Sequence, residues 1–330
     1  MFEGIILDID DTLLVDGELK KEDIIYIQEL KEKGYHILLA TGRSLKEALP
    51  ISKALNLGTP MVLLQGALTF YDNNSDRSIE VPLNKNTAKD IIYWCRTNRI
   101  TPRVYIGELD YFYDFETNLE DNSEVFSNIL QIRMEFENND YRKERFEKYF
   151  ENREDIITRI HPDSIDCLSM RTDKGVAVRR VAFEEGWSLS KFISVGNFPG
   201  DSMLFDETDF NIVIERKKEI KKTKNIQNIS SGTVNEALKN VFNSLKEYKE
   251  GKYRKNTEIR IRSLGSFYYI FRENDVEEVD ELLYDIWKMV NEEEELSLIL
   301  RREISRNNFF EVIDRINYLI SNNIIYKIAD

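Results

Sequence analysis

Three acidic residues follow a short apolar segment near the start of this chain of 330 residues. The segment, residues 4–7, reads Gly-Ile-Ile-Leu, and Asp8, Asp10 and Asp11 come after it. Such a run predicts a buried β-strand, on which residues two apart point to the same side. Asp8 and Asp10 can therefore converge at the carboxyl end of the strand, where open α/β sheets bind ligands. Because close carboxylates repel each other, the pattern indicates either a divalent metal site or a nucleophile paired with an acid.

Strand and helix patterns alternate over the residues that follow. Apolar strands are predicted at residues 4–7, 35–40 and 61–64, and helices with apolar residues at helical spacing at 20–33 and 45–55. This alternation predicts an α/β fold with a doubly wound parallel sheet. One edge of that sheet would collect Asp8, Asp10, Thr41 and Gln65.

The alternation is interrupted after residue 82. Residues 83–160 contain helical patterns at 87–98 and 141–151 and strand-like aromatic pieces at 103–106 and 111–115, so we expect an inserted α/β cap domain there. Apolar strands at 165–170, 192–195 and 210–214 are then expected to resume the first sheet. We therefore predict a core domain of residues 1–82 and 161–248 and a cap domain of residues 83–160.

A third region follows the core. Residues 276–290 and 309–320 carry apolar residues at helical spacing, so residues 249–330 are predicted to form a C-terminal, mainly helical extension. Its apolar area must be buried. We expect it to pack on the core domain or at a homodimer interface, and a surface for another protein partner is the alternative.

Composition limits the partners of the protein. The net charge of −14 argues against a nucleic-acid backbone or an anionic membrane as a partner. No apolar run approaches the ~18 residues of a membrane span. Two cysteines, Cys95 and Cys167, do not make a disulfide framework, and the first residues lack a basic stretch followed by a long apolar one. We expect a cytoplasmic protein.

Four short motifs resemble, in order and spacing, those of the haloacid dehalogenase superfamily. They lie at residues 8–12, 41–43, 174–175 and 195–201. The insertion between the second and third motifs resembles the cap of the Cof-type sugar phosphatases, a subfamily with a type 2 cap. The resemblance covers about residues 2–245, and four ordered motifs at predicted strand ends are far more specific than one.

The resemblance implies a phosphatase acting on a small phosphorylated metabolite, such as a sugar phosphate. Asp8 would attack the phosphorus and form an aspartyl-phosphate, which water later hydrolyses. Asp10 would protonate the leaving oxygen and then deprotonate that water. The phosphoryl group would be bound by Thr41, Gly42, Arg43 and Lys174.

The same resemblance implies Mg²⁺, held by Asp8, Asp10, Asn197 and Asp201. Related proteins usually carry aspartate where this chain has Asn197, and an amide oxygen brings no negative charge to a metal site. The alternative is a catalytically weakened relative that binds a phosphorylated ligand or a protein partner. Transfer of the phosphoryl group to a sugar hydroxyl instead of water is a third possibility.

Overall fold

The structure is a computed structural model of the chain. It describes residues 2–58, 60–71, 77–113, 125–137, 139–197, 199–215, 228–230, 232–247, 253–264, 266–272, 275–290, 296, 299, 303 and 309–327. The predicted start of the extension at residue 249, and Phe198 within the fourth motif, lie outside the described residues.

The strands and helices are numbered in chain order. The strands are β1 (Gly4–Leu7), β2 (Leu14–Val15), β3 (Glu18–Leu19), β4 (His36–Ala40), β5 (Met61–Leu63), β6 (Leu68–Phe70), β7 (Ile79–Glu80), β8 (Arg103–Ile106), β9 (Leu109–Phe112), β10 (Ile129–Glu135), β11 (Ile156–Ile160), β12 (Ser164–Ser169), β13 (Phe192–Gly196), β14 (Phe210–Ile214), β15 (Asn228–Ser230), β16 (Tyr253–Lys255), β17 (Arg260–Leu264), β18 (Phe267–Arg272), β19 (Asp275–Val279) and β20 (Ile325–Lys327). The helices are α1 (Lys21–Glu32), α2 (Leu45–Ala54), α3 (Lys85–Thr97), α4 (Tyr141–Phe150), α5 (Lys174–Glu185), α6 (Ser202–Phe205), α7 (Val234–Glu247), α8 (Glu281–Met289) and α9 (Phe309–Ser321).

An eight-stranded sheet forms the centre of the fold. Its strand order is β15-β14-β13-β1-β4-β5-β6-β7, and the six strands from β15 to β5 are parallel. Strands β6 and β7 continue the sheet in antiparallel pairing. The predicted α/β fold with a parallel sheet is confirmed, and the carboxyl ends of β1, β4, β5 and β13 lie side by side. We call these four strand ends the catalytic edge.

Helices cover both faces of this sheet because its parallel strands are apolar on both sides. Ile5 and Leu7 of β1 point into a buried cluster that includes Ile27 of α1 and Leu238 of α7. Ile6, between them in sequence, points into a second cluster, with residues of α5. The alternation of side chains along β1 therefore fixes which helices lie on which face.

A second, five-stranded antiparallel sheet has the order β11-β12-β10-β8-β9, and we call it the cap sheet. The prediction that the strand near residues 165–170 resumes the first sheet is wrong, since β12 pairs with β10 and β11. Apolar strands of the two sheets look alike in sequence, whereas pairing is decided by distant partners. The predicted boundary at residues 160 and 161 falls between two paired strands, and we propose to move it beyond Ser169.

The C-terminal extension contains more strand than predicted. Helices α8 and α9 are present, but β17, β18 and β19 form a three-stranded antiparallel sheet, and β16 pairs with β20. Strand β18 carries a run of aromatic residues, which favour strands. Ile286 of α8 and Ile316 of α9 belong to the same buried cluster as the core strands, so the extension packs on the core.

In the part of the chain that the structure describes, no helix is both long and apolar enough to cross a membrane.

Candidate active site

The catalytic edge brings the predicted residues together. The main-chain N–H of Asp8 donates to the carbonyl of Val195 at 3.0 Å, which ties the end of β1 to β13. The N–H of Thr41 donates to the carbonyl of Val62 at 2.9 Å and continues the β4–β5 pairing by one residue. Both side chains are buried, Asp8 to 4% exposure and Thr41 completely. The strand ends therefore hold these two side chains in fixed positions.

A buried lysine joins two buried carboxylates. Lys174 Nζ donates to Asp8 Oδ1 at 2.9 Å and to Asp201 Oδ1 at 2.6 Å, and the three side chains are at most 5% exposed. Burial and the Asp201 carboxylate raise the pKa of Asp8 above its ordinary value, and Lys174 opposes them. The two carboxylates raise the pKa of Lys174, although burial alone would lower it. The group Asp8–Lys174–Asp201 thus places one buried ammonium group between two buried carboxyl groups.

The position of Lys174 is set by the start of α5. The Asp173 side chain accepts a hydrogen bond from the Val176 N–H at 2.8 Å and caps the helix. Lys174 is therefore the first helical residue, where the helix dipole does not favour a cation. Gly66 packs against this turn with φ +96, and a Cβ at Gly66 would lie 2.5 Å from the Asp173 carbonyl oxygen. This close approach packs the loop after β5 against Asp173, the residue that precedes Lys174.

Asn197 lies between the two N-terminal aspartates. Its Nδ2 donates to the main-chain carbonyl of Asp10 at 2.8 Å and lies 3.5 Å from Asp8 Oδ2. Its own N–H donates to Asp201 Oδ2 at 2.8 Å, so both oxygens of Asp201 accept hydrogen bonds. The side-chain amide of Asn197 is thus placed among oxygen atoms that a cation could also contact.

Asp10 is more exposed than Asp8 and pairs with an arginine. Its side chain is 56% exposed and pairs with Arg43, through Oδ1 to Nη2 at 2.7 Å and Oδ2 to Nε at 3.0 Å. The Arg43 N–H donates to Thr41 Oγ1 at 3.2 Å. Arg43 therefore links the loop after β4 to the loop after β1.

The next residues of the β4 loop begin α2. Ser44 and Glu47 form a capping box, in which the Ser44 N–H donates to the Glu47 carboxylate at 3.0 Å. Gly42 is packed tightly, because a Cβ there would lie 2.4 Å from Nε2 of Gln65. The buried Gln65 Oε1 has no hydrogen-bond partner among the described residues. Gln65 therefore reaches the catalytic edge, as predicted, beside the predicted substrate-binding glycine.

The residues at the edge fit a weakly held Mg²⁺. Among the described residues, no group of three or more His, Cys, Asp or Glu side chains could hold a metal ion. The donors that surround the Asn197 amide are Asp8 Oδ2 and the Asp10 carbonyl, both hard oxygen atoms of the kind that Mg²⁺ prefers. Rotation of the amide would add Asn197 Oδ1 as a third. The set brings a single negative charge.

Sequence reasoning missed one charged residue near this group. Burial lowers the pKa of Arg159 in β11, and the Asp201 carboxylate opposes that shift. Strand β11 was not predicted, and the position of an arginine across a sheet depends on the pairing of several strands. The β-branched residues at 156–158 and 160 are the local signal that favours a strand there.

Comparisons with known proteins point to one family. The family model for haloacid dehalogenase-like hydrolases matches residues 5–237. The 5-amino-6-(5-phospho-D-ribitylamino)uracil phosphatase YcsE of Bacillus subtilis is 22% identical over 221 residues, which cover 66% of this chain and 86% of that protein.

Solved structures share the fold at low sequence identity. A haloacid dehalogenase-like hydrolase from Bacteroides thetaiotaomicron has a TM-score of 0.62 at 16% identity, over 73% of this chain and 100% of that one. A subclass IIB sugar phosphatase of the superfamily has a TM-score of 0.56 at 15% identity, over 73% of this chain and 99% of that one. The matching family model covers well over half of the chain, and the predicted family is confirmed: this protein belongs to the haloacid dehalogenase-like hydrolases.

Proposed function

We propose that this enzyme is a Mg²⁺-dependent phosphatase that hydrolyses a small phosphorylated metabolite, such as a sugar phosphate, through an aspartyl-phosphate on Asp8. The observation that carries the proposal is the buried Lys174, which holds Asp8 Oδ1 at 2.9 Å and leaves Oδ2 to face the Asp10 carbonyl and Asn197. Because Oδ2 lies among the oxygen atoms that would hold Mg²⁺, Oδ1, oriented by Lys174, is the oxygen left for in-line attack on phosphorus. The family match and the phosphatase relative support the same reaction class.

Asp10 is suited to proton transfer on the leaving-group side. Its carboxylate is 56% exposed and lies outside the buried Asp8–Lys174 pair. A group there can give a proton to the departing oxygen and then take one from the attacking water. Arg43 holds this carboxylate through two of its nitrogens and would orient it, while adding positive charge for the phosphoryl oxygens.

The phosphoryl group would sit between the loop after β4 and the start of α5. Thr41 can donate its hydroxyl, Gly42 a main-chain N–H and Lys174 a positive charge to the phosphoryl oxygens. The absence of a Cβ at Gly42 matters here, since the Gln65 side chain already fills that space. These groups are fixed by buried strand ends and a capped helix, so their orientation requires little rearrangement on binding.

Asp8, the Asp10 carbonyl and Asn197 would hold Mg²⁺ in this site. When bound there, the ion would neutralise negative charge and supply Lewis-acid chemistry. We assign Asp201 to orienting Lys174 and the loop of Asn197, because both of its oxygens already accept hydrogen bonds. Our sequence-based assignment of Asp201 as a ligand stays a prediction.

The test is phosphate release from a panel of phosphorylated sugars and an aryl phosphate, with and without Mg²⁺. Asp8→Asn is the diagnostic variant. Asp11→Asn is its matched control, because Asp11 is exposed and its φ of 54° suits asparagine. We expect Mg²⁺-dependent release by the wild type and by Asp11→Asn, and none by Asp8→Asn. Equal release by both variants would refute the proposal.

A binding protein is the second candidate function, and Asn197 is the observation that favours it. The amide supplies no charge to the metal site and donates to the Asp10 carbonyl at 2.8 Å. A folded wild type that releases no phosphate at saturating Mg²⁺, but binds phosphorylated sugars in calorimetry, would establish this alternative. Contact with a second copy or another protein through residues 249–330 remains a prediction.

A further inference from the structure

One face of the cap sheet carries a row of charged side chains. In the strand register Arg159 lies opposite Asp166, Asp166 opposite Arg133, and Arg133 opposite Arg103. Residues directly opposite on neighbouring antiparallel strands point to the same face. Three arginines and one aspartate therefore form a single line across the four strands from β11 to β8.

This face is turned toward the core domain. Arg103 Nη1 lies 3.4 Å from Glu47 Oε1 at the start of α2. Asp110, on the same face as Arg103, accepts from Ser44 Oγ at 3.3 Å. The opposite face of the cap sheet packs against α3 and α4 in a separate apolar cluster that includes Ile132. Because α2 begins directly after the Thr41–Arg43 loop, the charged row covers the side of the core on which the catalytic edge lies.

Two of the three arginines already have partners. Arg103 Nη2 pairs with Asp110 Oδ2 at 2.6 Å, and Arg133 Nε pairs with Asp166 Oδ1 at 3.5 Å. Arg159 makes no hydrogen bond or ion pair with any described residue, and its Nε is buried without an acceptor. Burial is the largest influence on its pKa and lowers it, while Asp201, then Asp166, raise it. A partly buried guanidinium stays charged and gains from an anionic partner.

We infer that Arg159 binds an anionic group on the leaving-group part of the substrate, so that the enzyme selects phosphomonoesters carrying a second acidic group, a carboxylate or another phosphate. The inference rests on the proposed function. In that proposed function, Lys174, Arg43 and Thr41 already bind the transferred phosphoryl group. Arg159 belongs to the charged row that the cap turns toward the core domain, and its buried Nε has no acceptor among the described residues. In the proposed function, a leaving group on Asp8 would extend toward that face. The planar guanidinium can bind either anion through two nitrogens.

The test compares three substrates that differ in the leaving group: glucose 6-phosphate (neutral), 6-phosphogluconate (a carboxylate) and glucose 1,6-bisphosphate (a second phosphate). The variants are Arg159→Gln and Arg159→Lys, with Arg145→Gln on the exposed face of α4 as the matched control. We expect the wild type to prefer one of the acidic substrates. Arg159→Gln should lower kcat/KM for that substrate roughly ten- to a hundredfold, mainly through KM, and change the neutral one less than about twofold.

Arg159→Lys should restore part of the preference, and Arg145→Gln should keep all of it. Equal losses on the three substrates would overturn the inference, since Arg159 would then act on the transferred phosphoryl group or on folding. Unchanged kinetics on all three would also overturn it.

Failure of the proposed function has a different signature. If the wild type releases phosphate from no substrate, the same three compounds are titrated calorimetrically into Asp8→Asn and into Asp8→Asn with Arg159→Gln. Tighter binding of an acidic compound that is lost with Arg159 would sustain the inference without catalysis. Equal affinity for acidic and neutral compounds in Asp8→Asn would overturn it.

Discussion

Replacement of Lys174 by methionine removes the only cation within the Asp8–Lys174–Asp201 group. The two carboxylates that remain are at most 5% exposed, and Lys174 contacts them at 2.9 and 2.6 Å. Breaking a buried ion pair in this way typically costs about 3–5 kcal/mol of unfolding free energy. We therefore expect Lys174→Met to be one of the most destabilising single substitutions at the catalytic edge.

The pH dependence of that loss can be worked out from proton uptake. In Lys174→Met one of the two carboxyl groups has to hold a proton that the unfolded chain releases above its ordinary pKa of about 4. Each pH unit above that value costs about 1.4 kcal/mol, which gives about 4 kcal/mol at pH 7 and about 1.4 kcal/mol at pH 5. Because the folded variant binds more protons than the unfolded chain, its stability falls as the pH rises from about 4 to 7.

Urea unfolding of the wild type and of Lys174→Met at pH 5 and pH 7 measures the loss of unfolding free energy and its dependence on pH. Lys46→Met is the control, because the Lys46 side chain is 72% exposed and its Nζ lies 3.3 Å from Asp110. That variant should lose less than about 1 kcal/mol at either pH. A loss for Lys174→Met that is as small as the control's, or an unfolding free energy of Lys174→Met that is the same at pH 5 and pH 7, would refute the reasoning.

Three further substitutions test individual parts of the site. Asn197→Asp adds a negative charge beside Asp8 and should tighten Mg²⁺ binding roughly tenfold in calorimetry; unchanged affinity would contradict the proposed ligand set. Gly66→Ala should lower the thermal midpoint clearly more than Gly34→Ala. Both glycines have positive φ, but only Gly66 is close to the Asp173 backbone. Equal shifts would show that the close contact with Asp173 does not add to the cost of the Cβ. Asp173→Ala removes the cap of α5 and should cost about 1 kcal/mol in urea unfolding, where no change would argue against the cap.

The parts of the fold that sequence predicted correctly depend on local patterns. The strand before Asp8, the strand before Thr41 and the helix that begins at Lys174 are each marked by an apolar run or helical spacing within a few residues. Parallel strands then bring their carboxyl ends to one edge by topology alone. For this reason Asp8, Asp10, Thr41 and Gln65 could be grouped at one edge from local patterns, whereas Lys174, Asn197 and Asp201 were added by the family resemblance.

The features that sequence did not predict depend on distant pairing. Strand β12 has the same apolar character as a core strand, and only its pairing with β10 and β11 places it in the cap sheet. The importance of Arg159 follows from the same register, because its opposite residue Asp166 is already paired with Arg133. The hydrogen bond from Asn197 to the Asp10 carbonyl is a further example, since the two residues are distant in sequence.

The central claim is that Asp8 forms a covalent bond to phosphorus, and trapping that intermediate tests it most directly. The enzyme is mixed with Mg²⁺ and an aryl phosphate, quenched in acid during turnover, digested, and its peptides are weighed by mass spectrometry. We predict a peptide containing Asp8 that is heavier by one phosphoryl group in the wild type and in Asp11→Asn, and unmodified in Asp8→Asn. Turnover with the phosphoryl group on another residue, or full turnover by Asp8→Asn, would contradict the account.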